Sequence, residues 1–182
     1  MLTLSGTGDD GDVPVEDRTM KVVVGIEDEL FGNAIVDFIG TQKWAAGTEF
    51  RLIHAIDNTA TGELIGELCC PEAVTMVQAE RDAVKELLMN LDLKLLKLVP
   101  DAQTEQKIVY GRPKNMLLDE IESWQADLLI VGSHGRHGFS RFLLGSVSMA
   151  LLSHAPCSVL IVKLPVARQK ADQPELAATA TK

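Results

Sequence analysis

The sequence has few cysteines and lacks long apolar runs. Three cysteines occur among 182 residues, and two of them, Cys69 and Cys70, are adjacent. This pattern forms neither a disulfide framework nor a paired CxxC zinc site, which suits a reducing compartment. No apolar run approaches the ~20 residues of a membrane-spanning helix, and the N-terminus lacks the sustained apolar stretch of a signal peptide. The sequence therefore predicts a cytoplasmic protein without a membrane partner.

Positive charge is also scarce. The formal net charge is -9, and the chain has no stripe of Lys and Arg. Because duplex binding requires such charges to neutralise phosphates, nucleic acid is not predicted as a partner.

The phosphate-loop pattern G-x-x-x-x-G-K-[S/T] is absent, so the NTPase chemistry built around its lysine is not expected. A G-x-G-x-x-G match at residues 6–11 follows no strand and is interpreted as a chance match.

The composition indicates one folded domain with polar ends. Hydrophobic residues make up 46% of the chain, enough for a single buried core. Residues 1–19 are rich in Gly and Asp and are predicted to be a disordered acidic extension, and residues 166–182 a disordered tail. The segment 20–165 is predicted to fold as one domain.

Apolar runs typical of buried strands alternate with helical patterns. Strands are predicted at 20–26, 50–56, 106–110, 127–131 and 157–162. The longest helix begins at Pro71, and its apolar face from Val74 to Leu98 is expected to pack on the sheet rather than form a coiled coil. Such alternation predicts an open, doubly wound, Rossmann-like α/β fold with a parallel sheet and helices on both faces.

A glycine spacing near the end of the chain is the most informative motif. Gly132 is followed by two residues and Gly135, and nine further residues precede Gly145. The motif lies between a predicted strand and a helix expected from about Ser146 to His154. Glycines allow positive φ and close backbone approach, and a helix N-terminus presents free N–H groups to anions. The motif therefore predicts a site for a nucleotide phosphate.

The spacing G-x2-G-x9-G-[S/T] before the last helix resembles the signature of universal stress proteins that bind ATP. The resemblance covers about residues 20–164 and implies a five-stranded sheet in the order 3-2-1-4-5. It also implies an ATP-binding stress-response sensor or regulator, with slow hydrolysis at most. A homodimer is implied through the last strand, at Val159, Leu160, Ile161 and Val162.

The resemblance also implies site residues by position. Adenine is expected at the ends of the first two strands, and the phosphates at the glycine motif. The residues implied to contact the nucleotide are Gly25, Ile26, Glu27, Ala55, Val131, Gly132, Gly135, Arg136, Gly145, Ser146, Val147 and Ser148. The last four are expected to offer N–H and hydroxyl donors at a helix start.

One position departs from the family pattern. Glu27 stands where the family usually has Asp, and the segment 27–29 reads Glu-Asp-Glu. Because like charges repel, these acids oppose a triphosphate. Two compensations stay open. Mg2+ would bridge an acid and the phosphates, or Arg136, His137 and Arg141 would offset the charge.

Other function classes also stay open. In one, the fold is a dimeric scaffold or binding module that does not bind ATP, and the glycine motif is only a tight strand-to-helix connection. In another, the protein is an enzyme that acts on a small phosphorylated substrate. No catalytic or metal residue is predicted, because His134 and His137 lack further ligands and His54 is interpreted as structural. A redox role for Cys69 and Cys70 stays open.

Overall fold

The computed structural model describes residues 19–57, 71–133 and 144–164. Strands and helices alternate along these ranges. In chain order the elements are β1 (Lys21–Gly25), α1 (Glu29–Gly40), β2 (Glu49–Ile56), α2 (Pro71–Leu98), β3 (Gln103–Tyr110), α3 (Pro113–Trp124), β4 (Leu128–Gly132), α4 (Ser146–His154) and β5 (Ser158–Val162). The predicted fold class is confirmed, and β3 begins three residues before its predicted start. The predicted extension and tail lie outside the described residues, except for Thr19.

The strands form a parallel sheet in the order β3-β2-β1-β4-β5, as the resemblance implied. The central strand β1 pairs on both sides, with Val24 aligned to Leu52 of β2 and to Ile130 of β4. The chain leaves β1 toward one edge of the sheet and later returns to its other side at β4. In open α/β sheets, this reversal leaves a crevice at the carboxyl ends of the two strands.

Both faces of the sheet are covered because alternate residues of each strand enter different apolar clusters. Val22 and Val24 pack with α1 and α2, whereas Val23 between them packs with α3 and α4. All three side chains are fully buried. A central parallel strand that is apolar on both faces therefore reads as a continuous Val run rather than an alternating pattern.

Local signals explain where α1 and α3 begin and end. Asp28 has extended backbone before α1, and its Oδ1 accepts a hydrogen bond from Phe31 N at 2.8 Å, so it acts as the N-cap. Pro113 occupies the first turn of α3, where the missing N–H costs nothing. Gln125 ends α3 in the left-handed conformation at φ 55°.

The helix α2 begins at Pro71, as predicted, and runs to Leu98, but only its second half packs on the sheet. Val84, Leu88, Leu91 and Leu95 are buried, whereas Val74 is 64% exposed. A helix of this length spans about 42 Å, whereas an eight-residue strand spans about 26 Å, so its first turns extend past the sheet. The prediction that Val74 belongs to the packed face is therefore wrong.

Neither α2 nor any other helix in the described ranges combines the length and apolarity needed to cross a membrane.

Candidate functional site

The carboxyl ends of β1, β2 and β4 meet at one edge of the sheet. Gly25 aligns with Ile53 on one side and with Val131 on the other. Ile26 N donates a hydrogen bond to Ile53 O at 2.8 Å, which extends this pairing past the end of β1. Ala55 lies at the same end of β2. The structure thus brings together the residues expected near adenine.

The apolar side chains at this edge belong to the core. Ile26 is 4% exposed and packs on the α1 and α2 side, whereas Val131 is 5% exposed and packs on the α3 and α4 side. Because both side chains are buried, a ligand at these positions would contact backbone groups. Glu27, one residue further along, is exposed.

Gly132, the first glycine of the motif, is required by the packing of α1. A Cβ atom at this position would lie only 2.6 Å from Cδ1 of Phe31. Among the described glycines, those with positive φ are Gly47 and Gly111. The backbone conformation at position 132 therefore does not by itself require a glycine. The missing Cβ therefore makes room for an aromatic ring.

Hydrogen bonds fasten the start of α4 to the end of β4. Ser148 is 6% exposed, and its Oγ donates to the Gly132 carbonyl at 2.7 Å. Gly145 N donates to Ser133 O at 2.8 Å, and Ser133 N donates to Val162 O at 2.9 Å. Two donors that the resemblance implied for phosphate, the Ser148 hydroxyl and the Gly145 N–H, are therefore used inside the protein.

The first turn of α4 retains backbone donors. The first hydrogen bond of the helix runs from Met149 N to Gly145 O, so the N–H groups of Ser146, Val147 and Ser148 lie ahead of it. Gly145 is the N-cap and supplies no side-chain cap, and no acid occurs in the first turn. Ser146 is exposed. These donors and the positive end of the helix dipole suit an anion.

Part of the predicted site lies outside the described residues. Gly135 and Arg136 fall there, together with His134, His137 and Arg141, so their roles stay predictions. Across the residues that the structure does describe, no group of three or more His, Cys, Asp or Glu side chains is arranged to hold a metal ion.

Sequence reasoning missed a polar cluster on the face of the sheet that α3 covers. Glu120 of α3 is 8% exposed and accepts hydrogen bonds from Lys107 and, at 3.3 Å, from Arg51. Arg51 also pairs with Glu105 at 2.6 Å and lies 4.1 Å from the ring centre of Trp124. The ion pairs of this cluster join α3 to β2 and β3. In the sequence, the one signal for the cluster was the charged Arg51 within a predicted buried strand.

His54 and Cys157 are further titratable side chains among the described residues. His54 on β2 is 5% exposed, and its interpretation as a structural histidine stays a prediction. Burial, followed by the negative charge of Asp127, raises the pKa of the Cys157 thiol. A raised pKa keeps this thiol protonated and poorly nucleophilic at neutral pH.

The comparison with protein families agrees with the glycine motif and the strand order. Residues 19–163 match the sequence model of the Universal stress protein family. The chain belongs to the universal stress protein family. Universal stress protein A homolog 2 of Coxiella burnetii is 33% identical to it over 118 residues, which are 64% of this chain and 75% of the relative.

Solved structures of universal stress proteins share the fold. A family protein from Arabidopsis thaliana with AMP bound superposes with a TM-score of 0.58 at 19% identity, over 84% of this chain and 97% of the other. A universal stress protein from Archaeoglobus fulgidus in complex with dAMP gives a TM-score of 0.55 at 18% identity, over 79% and 98% of the two chains. At these identities the likeness concerns the fold.

Proposed function

We propose that this universal stress protein binds an adenine nucleotide at the carboxyl edge of β1, β2 and β4 and acts as a stress-response sensor or regulator. The observation that carries the proposal is the uncapped N-terminus of α4 beside the point where strand order reverses. Two structural neighbours that carry AMP and dAMP support the choice of adenine. The missing phosphate-loop lysine favours slow hydrolysis at most.

The nucleotide is proposed to lie across the sheet edge. Its adenine would approach the backbone from Gly25 to Glu27 and Ala55, and its phosphate would accept from the N–H groups of 146–148. ATP is the ligand implied by the resemblance, with Gly135 and Arg136 as further contacts. Mg2+ would serve as a bridge between phosphates and the exposed Glu27 carboxylate. A nucleotide affinity that is unchanged by both a chelator and added magnesium would contradict the metal bridge.

The substitution Gly145→Val tests the phosphate site. Gly145 has φ -58° and ψ 153°, an extended conformation that valine adopts readily, so the variant is expected to fold. Its side chain would stand at the mouth of the α4 N-terminus. Equilibrium dialysis with labelled AMP and ATP should show saturable binding to the parent protein and at least about tenfold weaker binding to the variant. Equal binding by both proteins would contradict the site.

The alternative is a dimeric scaffold of the same fold that does not bind ATP. It is favoured by the internal contacts at the motif, since packing against Phe31 accounts for Gly132 and a hydrogen bond to Gly132 accounts for the Ser148 hydroxyl. The same dialysis separates the two functions. Failure of the parent protein to bind either nucleotide at millimolar concentration would favour the scaffold.

A homodimer is proposed through the last strand, β5. Within the described residues β5 pairs with β4 alone, which leaves its other edge available to a second copy. Val159, Leu160 and Ile161 are partly buried there, and an unpaired apolar edge otherwise invites aggregation. Light scattering should give twice the monomer mass for the parent protein and the monomer mass for Ile161→Lys.

The matched control for the dimer is Val109→Lys on the opposite edge strand β3. Val109 and Ile161 are both partly buried against the α3 and α4 cluster, so both changes place a charge in a similar environment. The control is expected to keep the dimer mass. A monomeric parent protein at micromolar concentration would contradict the proposal.

A further inference from the structure

Two exposed apolar side chains lie on one side of α4. Met149 is 48% exposed and Leu152 is 49% exposed, and their spacing of three residues places them side by side on the helix. Ser148 and Leu151, on the adjoining side, are buried. Single exposed apolar side chains are common on protein surfaces, whereas two large neighbours form a patch. Met149 and Leu152 are here called the α4 patch.

The α4 patch lies above the outer edge of β5. The helix α3 contacts β1 and β2, whereas α4 contacts α3 and β5, and Ser148 of α4 bonds to Gly132 of β4. The helix α4 therefore covers β4 and β5. In a right-handed β4–α4–β5 crossover, the side of α4 that carries the patch faces away from α3. Val159 and Ile161 of β5 lie on the same face of the sheet, so the patch continues the apolar edge.

This surface carries no formal charge. Neither α4 nor β5 contains Asp, Glu, Lys or Arg, although the formal net charge of the chain is -9. Two copies of an acidic chain repel each other, and this repulsion is weakest where their surfaces are uncharged. A partner recognised by charge would find no complementary group on this surface. Charge therefore favours a second copy as the occupant of the patch.

The edge of β5 alone is too small for a stable dimer. Because the strand has five residues, its edge is about 17 Å long and about 10 Å thick and covers on the order of 200 Å² per copy. A stable interface buries roughly 800 Å² per partner. The strand pairing proposed above thus requires further apolar area, and the α4 patch is continuous with it.

We propose that the α4 patches of two copies pack against each other across a two-fold axis at the β5 edge. This inference rests on the proposed homodimer and adds a helix layer to it. A two-fold axis perpendicular to the sheet pairs the two β5 edges in antiparallel direction. With strands about 4.8 Å apart, α4 lies about 4.8 Å from this axis, because it sits between β4 and β5. The two helices would then be about 10 Å apart, close to the ~8–10 Å spacing of packed helices.

The substitution Leu152→Glu tests the helix contact. It places one carboxylate from each copy near the axis, so the dissociation constant of the dimer should rise at least about tenfold. The matched control is Leu93→Glu on α2, because Leu93 is 52% exposed and lies on another surface. Sedimentation equilibrium of the full chains measures both constants. The control should stay within about twofold of the parent protein.

A mixture of two charge variants tests whether the two copies of Leu152 are neighbours. Leu152→Lys should also weaken self-association, because two ammonium groups would then lie near the axis. Mixing it with Leu152→Glu should restore dimers that contain one copy of each, because opposite charges attract across the interface. Raised salt should weaken these mixed dimers. A variant that merely destabilises the fold does not give this rescue.

The outcomes separate the helix contact from the dimer and from nucleotide binding. A monomeric parent protein at micromolar concentration overturns the dimer and this inference, whereas dialysis tests nucleotide binding independently. An unchanged dissociation constant in Leu152→Glu leaves the strand dimer standing and overturns the helix contact. Loss of thermal stability without loss of the dimer would indicate that the same chain covers the patch, which also overturns it. Should Leu152→Glu fail to fold, Met149→Glu replaces it, with Met89→Glu as control, since Met89 is 49% exposed.

Discussion

Gly132 has two structural roles, one in core packing and one in positioning α4. Its missing Cβ admits the Phe31 ring, and its carbonyl accepts from Ser148. Gly132→Ala should destabilise the protein by about 1–3 kcal/mol, because the new methyl group would overlap an aromatic ring in a packed core. Urea unfolding measures the change. Adding Phe31→Leu should recover part of the loss, and a parent-like free energy of unfolding for Gly132→Ala would contradict the contact.

Glu120 joins α3 to the sheet through charge. It is 8% exposed and accepts from both Lys107 and Arg51. Glu120→Ala leaves the largely buried Arg51 with fewer partners, so we expect a loss of about 1–3 kcal/mol in the free energy of unfolding. The control is Glu122→Ala on the exposed side of the same helix, expected to change it by less than about 0.5 kcal/mol. Equal effects of the two changes would contradict the role of Glu120.

Single residues of the site were only partly predictable from the sequence. The glycine spacing indicated where phosphate would approach, and the structure places an uncapped helix start there. The internal bond of Ser148 and the contact of Gly132 with Phe31 were not predicted. Both depend on which strands are neighbours and how helices cross them, and a local motif does not contain that information.

At the scale of elements, α2 is the helix whose two halves differ most. Its residues from Val84 to Leu95 pack on the core, whereas most positions from 74 to 83 are exposed. Hydrogen exchange should therefore be at least about tenfold faster for backbone amides of 75–83 than for those of 84–95, because fewer buried contacts oppose local opening. Exchange followed by mass spectrometry measures this. Uniform protection along α2 would indicate that something else covers its first half.

The elements themselves were largely predictable. Pro71 marked the start of the longest helix, and the apolar runs marked the five strands within a few residues. Their periodicity shows which face of a helix is apolar, but it does not show how far the supporting sheet extends. The exposed start of α2 therefore could not be predicted from its spacing.

At the scale of the whole molecule, the strand order creates the candidate site. The order β3-β2-β1-β4-β5 places the ends of β1 and β4 side by side, and α1 and α4 both begin at that edge. Strand order came from the family resemblance rather than from residue patterns, since alternation alone leaves several orders open. The contrast between the acid-capped start of α1 and the uncapped start of α4 emerges only when the fold brings residues about a hundred positions apart together.

The most direct test of the central claim is an NMR titration of the isotopically labelled full chain with AMP, following backbone amide signals. We expect saturable shifts at Ser146, Val147 and Ser148, whose N–H groups precede the first hydrogen bond of α4. Amides near Gly25 and Ala55 should shift with the same dissociation constant, since one ligand would contact both regions. The absence of shifts at the start of α4 at millimolar AMP, or shifts confined to another surface, would contradict the account.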